Sequence, residues 1–164
     1  MFDLETLALA ENLLALCRAR GWRVATAESC TGGLVAAALT AVADASDVFK
    51  RGFVAYSNEA KIDLLGVPQD MIAQHGAVSA ETAAAMARGA VSRAGVDLSV
   101  STTGIAGPGG GTPQKPVGLI YLGIAARDGG GRVERRVFPG DRGEVRHAAM
   151  VEALEMLLAA AKPR

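Results

Sequence analysis

Residues 23–42 read Arg23-Val24-Ala25-Thr26-Ala27, then Glu28-Ser29-Cys30-Thr31-Gly32-Gly33, then Leu34-Val35-Ala36-Ala37-Ala38-Leu39-Thr40-Ala41-Val42. A short β-compatible run, a polar turn with two glycines and a segment of helical periodicity succeed one another, the strand–turn–helix unit of an α/β domain. The flanking segments extend the alternation. Leu4, Leu7, Ala8, Leu14 and Ala15 recur at helical steps and predict an amphipathic helix ending at Gly21. Val48 to Tyr56 reads as a strand, Asn58 to Leu65 as a helix stopped by Gly66 and Pro68, and His75 closes another short helix. Ser79 is an N-cap candidate for an Ala-rich helix reaching Ala94, and Asp97 to Thr103 is a strand that runs into the glycine-rich stretch Gly104–Gly118. Val117–Ala126 and Arg132–Phe138 are expected to pair antiparallel about the turn Arg127–Gly131, and a helix spans Asp141 to Ala161. The expectation is one α/β domain over residues 1–164, a mixed sheet covered by helices.

Composition narrows the partners. Half of the 164 residues are hydrophobic, but 32 of the residues are Ala, and the longest strongly apolar run, Leu34–Val42, is too short for the ~20 residues of a membrane span. Seventeen Lys plus Arg balance 17 Asp plus Glu without a basic stripe, and aromatics make up 4%, which argues against nucleic acid as a partner. Asp3 and Glu5 stand where a secretory leader carries basic residues, so a cytoplasmic location is expected. Cys17 and Cys30 lack metal-site spacing and are expected to be reduced thiols; no metal or cofactor is implied.

Three places offer chemistry. Ser29 sits where a strand meets a helix, and the N–H groups near Gly32 and Gly33 suit an oxyanion; equally, Ser29 or Thr31 serves as a helix cap. A nucleophilic serine needs a base. His75 and His147 lie in unpromising contexts, whereas Lys61, just after Tyr56-Ser57-Asn58-Glu59-Ala60, acts as one if desolvation lowers its pKa. Gly104–Gly118 fits no phosphate-loop template yet follows a strand end, where α/β domains bind ligands. Arg142 and Arg146, four residues apart at the start of the last helix, suit a phosphate or carboxylate, or are simply solvated.

Taken together, Thr26–Gly33, Arg51–Lys61, His75–Ser79, Thr103–Pro108, Lys115–Gly118 and Gly140–Arg142 resemble the CinA C-terminal domain family along nearly the whole chain. The resemblance implies nicotinamide mononucleotide deamidase activity, yielding nicotinic acid mononucleotide and ammonia. It implies Ser29 as nucleophile, Lys61 as its base and Tyr56 as a supporting hydroxyl or proton relay. Thr103, Gly104 and Asn58 would line the pocket, and Arg142, with Arg146 as second choice, would meet the phosphate. The N-terminal companion domain of longer members is expected to be absent. Two alternatives remain open: a non-catalytic nucleotide-binding or regulatory module of the competence and DNA-damage response, and a hydrolase of another small amide. A homodimer is expected, because the Ala-rich helices and the apolar strand Leu119–Ala126 offer faces for self-association.

Overall fold

Among residues 1–163, which a computed structural model describes, five strands and six α-helices alternate. The chain runs through α1 (Leu4–Ala19), β1 (Val24–Glu28), α2 (Leu34–Thr40), β2 (Phe49–Val54), α3 (Asn58–Leu65), α4 (Gln69–His75), α5 (Ala80–Ala94), β3 (Leu98–Gly104), β4 (Leu119–Ala126), β5 (Gly131–Val137) and α6 (Arg142–Ala161). The helix starts follow capping chemistry. Asp3, Ser57, Ser79 and Asp141 each accept from a backbone N–H three residues on, and Glu144 completes a capping box at α6.

The strands lie in the order β2-β1-β3-β4-β5, with β1 parallel to β2 and β3, and β4 antiparallel to β3 and β5. Side chains alternate across this sheet into two cores. On one face Val24, Val100 and Leu122 meet Leu14 of α1, Leu39 of α2 and Leu154 and Leu157 of α6. Each such leucine contributes about 1.5–3 kcal/mol by leaving water. On the other face Ala25 and Ala27 meet Leu65, Ile72, Met86 and Ala90 of α3, α4 and α5.

The second face explains the alanine content. Ser99 and Ser101 point toward α5 and donate to the Ala87 and Ala83 carbonyls at 2.7 and 2.6 Å. A Cβ at Gly123 would stand 2.6 Å from the Ala83 oxygen, so α5 rides directly on the sheet. Strand β4 is almost wholly buried between β3 and β5. Strand β4 and the inner face of α5 are thus packed against each other within one chain.

The register brings three strand ends level, with Glu28 beside both Val54 and Thr102. From β1 the chain crosses toward β2, and from β3 it continues toward β4, so it departs to opposite sides and leaves a crevice at their carboxyl ends.

Candidate active site

Ser29 follows β1 at that crevice, and its Oγ lies 3.0 Å from the Lys61 Nζ. Lys61 comes from the first turn of α3, just past the end of β2, and is 1% exposed. Its other partners are the carbonyl oxygens of Ala55 at 3.0 Å and Tyr56 at 3.4 Å. Carboxylates are missing from this set. Burial holds the Lys61 pKa below its ordinary value of 10.5, with a small opposing contribution from Cys30. Burial likewise pushes the Cys30 thiol up to about 11, so it stays protonated near neutrality and does not compete with Ser29.

The pair opens into a cavity of about 250 Å³ that is also bordered by Tyr56, Asn58, Thr103, Gly104 and Arg142. Thr103 donates its hydroxyl to the Ala77 oxygen at 2.7 Å, which ties the end of β3 to the segment before α5. Gly104 admits no side chain, since a Cβ there would stand 2.5 Å from the Leu119 oxygen. At the mouth, Arg142 donates to the Gly107 oxygen at 2.8 Å and the Tyr56 hydroxyl at 2.9 Å, leaving further N–H groups for an anion. A larger cavity, about 710 Å³ beside Trp22, contains no nucleophile and base in contact. His75 and His147 lie outside the pocket, each within 4 Å of a carboxylate, at Glu81 and Asp3.

Three expectations need correction. Gly32 and Gly33 do not offer free N–H groups: Gly32 donates to the Ser29 oxygen and Gly33 to the Glu28 carboxylate, both at 3.0 Å. Arg146 does not border the pocket; its Nε and Nη2 donate instead to the carbonyls of Cys30 at 3.1 Å and Thr31 at 3.0 Å. Tyr56 turns its hydroxyl to Arg142, and only its carbonyl meets Lys61, which is not the arrangement of a relay.

Neither Ser29 nor Thr31 caps α2. Glu28 does, from 1% exposure, accepting from the N–H groups of Gly33, Val35 and Ala36 and from the Thr31 hydroxyl. Glu28 ends β1, six residues before α2 begins, so no capping spacing announced this role. No pattern announced the carbonyls of Ala55 and Tyr56, which every residue type carries.

Comparison with known proteins agrees with the fold. Residues 6–161 match the model of the CinA C-terminal domain. The chain is 48% identical over 157 residues to the nicotinamide-nucleotide amidohydrolase PncC of Escherichia coli, covering 96% of this chain and 95% of that protein. It is 55% identical over 147 residues to a CinA-like protein of Citrifermentans bemidjiense, covering 90% of this chain but 35% of that protein; the chain thus spans about a third of that relative's length. The crystal structure of the competence/damage inducible protein CihA from Agrobacterium tumefaciens superposes with a TM-score of 0.96 at 45% identity, covering 99% of both chains. With the family model spanning nearly the whole chain and the fold shared throughout, the chain belongs to the CinA C-terminal domain family.

Proposed function

We propose that the chain is an amidohydrolase that converts nicotinamide mononucleotide to nicotinic acid mononucleotide and ammonia, with Ser29 as nucleophile and Lys61 as base. The observation that carries this reading is the buried 3.0 Å contact between Lys61 Nζ and Ser29 Oγ. Its two carbonyl partners support it further. A neutral amine has two hydrogens and one lone pair; with the hydrogens on the Ala55 and Tyr56 oxygens, the lone pair is left for the Ser29 proton.

In this mechanism Ser29 Oγ attacks the carboxamide carbon while its proton passes to Lys61. The tetrahedral intermediate collapses, the C–N bond breaks, and ammonia departs with the proton returned by Lys61. Water then attacks the ester, Lys61 takes its proton, and the acid is released as Ser29 is reprotonated. For the oxyanion we assign the N–H groups of Cys30 and Ala106, two residues that border the pocket and whose N–H groups meet no backbone acceptor among the described residues.

The substrate class follows from size and charge. A cavity of about 250 Å³ lies below the usual ~300–1,000 Å³ of ligand clefts, so it suits a ring and its sugar with the phosphate at the Arg142 mouth. A dinucleotide would have to extend past the Arg142–Tyr56 contact. The 48% identity to Escherichia coli PncC, a protein named nicotinamide-nucleotide amidohydrolase, over 95% of its length supports this substrate.

Incubation with nicotinamide mononucleotide, with ammonia and the acid product both quantified, tests the proposal. Turnover is expected in the native chain, with a loss of about 10³-fold or more in Ser29→Ala. Binding of the mononucleotide without turnover would overturn it in favour of a regulatory nucleotide-binding module.

A further inference from the structure

Ser29 stands on a turn gripped from two sides. From inside the fold, the Glu28 carboxylate draws in the N–H groups of Gly33, Val35 and Ala36 and the Thr31 hydroxyl. That hydroxyl in turn accepts from Thr102 at 2.8 Å, joining the turn to the end of β3. From outside, Arg146 of α6 donates from Nε to the Cys30 oxygen and from Nη2 to the Thr31 oxygen. Gly32 makes the outer grip sterically possible: its φ is +58°, and a Cβ on it would stand 3.2 Å from Arg146 Nη2.

We infer that Arg146 is a positioning residue, whose guanidinium fork, working against the Glu28 carboxylate, fixes the turn that aims Ser29 Oγ at Lys61. A planar fork is the group suited to hold two successive carbonyls at once. The two α6 arginines then divide the work: Arg142 faces the ligand, and Arg146 faces the backbone that carries the nucleophile.

This inference rests on the proposed nucleophilic role of Ser29, so its test reads that serine without the natural substrate. Methanesulfonyl fluoride is small enough for the cavity. Its sulfur forms a bond to Ser29 Oγ, the S–F bond breaks, fluoride leaves, and the serine proton passes to Lys61. The modification rate at Ser29, followed by peptide mass, is expected to fall about 30-fold or more in Arg146→Ala, since an ångström of misplacement costs on the order of 10²-fold. Added guanidinium chloride at low, non-denaturing concentration is expected to restore much of that rate in the variant, while urea at the same concentration does not. Arg146→Lys, which keeps the charge without the fork, is expected to fall between the two and provides the test if the alanine variant fails to fold.

An unmodified Ser29 in the native chain overturns the nucleophile reading itself. A native-like rate in Arg146→Ala or Arg146→Lys, with the native chain modified, overturns only the positioning role. A slow Arg146→Ala variant that guanidinium does not restore overturns it too, because a merely structural loss is not repaired by the missing group.

Discussion

Two glycine-rich segments reach the candidate site, and they are built in opposite ways. The turn Ser29–Gly33 is held through its backbone on both sides, by Glu28 and Arg146, with Gly32 and Gly33 at φ of +58° and +99°. The loop Gly104–Gly118 contributes only its first residues to the cavity; Gly109, Gly110 and Gly111 are exposed, and Lys115 ties the far side to the His75 carbonyl at 2.9 Å. Glycine therefore serves two ends. In the first turn it permits a backbone shape that an L side chain resists, and at Gly104 it permits close strand contact. Richness in glycine alone does not separate a turn held on both sides from a surface loop.

Substitutions sharpen that contrast, the largest effects falling on the first turn and on the lysine that Ser29 meets. Lys61→Met is expected to lower kcat by about 10³-fold by leaving Ser29 without a base. In the native chain kcat/KM is expected to rise with pH through the lowered Lys61 pKa and level off before the ordinary 10.5, whereas Lys61→Met lacks that rise. The stability sign agrees. Between the lowered folded pKa and 10.5 the unfolded chain binds more protons, so stability rises with pH across that window, and titration of melting midpoints should show a smaller slope in Lys61→Met.

Arg142→Ala is expected to raise KM for the mononucleotide by about 10- to 100-fold with a smaller change in kcat, as steady-state kinetics would show. Gly32→Ala forces a side chain into the left-handed region and toward Arg146, and is expected to cost about 1–2 kcal/mol by denaturant melting and about tenfold in kcat. Gly109→Ala in the second segment meets open space and should change neither. Equal effects at Gly32 and Gly109 would erase the distinction between the segments. Lys115→Ala removes one exposed tether and is expected to cost below about 1 kcal/mol by denaturant melting.

Much of the fold was legible in local pattern. The helix Asn58–Leu65 stops at Gly66 as its sequence predicts, and the antiparallel pairing of β4 and β5 follows from their turn. The alternation in β3 was visible too, but its serines face a helix rather than solvent, a fact set by how near α5 can approach. At the site, Ser29 and Lys61 stood out by their side-chain chemistry, and the fold brings the two into contact. Arg146 was misread because two arginines four residues apart look alike in sequence, while their different neighbours, a cavity mouth and a pair of carbonyls, are set only by docking α6 on the turn. The N–H groups at the helix start were misjudged for the same reason: the Glu28 carboxylate, brought in by the fold, takes those of Gly33, Val35 and Ala36.

The central claim is that Ser29 and Lys61 act as one unit, and a double-mutant cycle in nicotinamide mononucleotide turnover tests it most directly. Ser29→Ala, Lys61→Met and the double variant are expected to lose similar amounts of kcat, about 10³-fold or more each, because removing either member already disables the pair. Losses that multiply in the double variant, or a Ser29→Ala variant that keeps near-native turnover, would contradict the account.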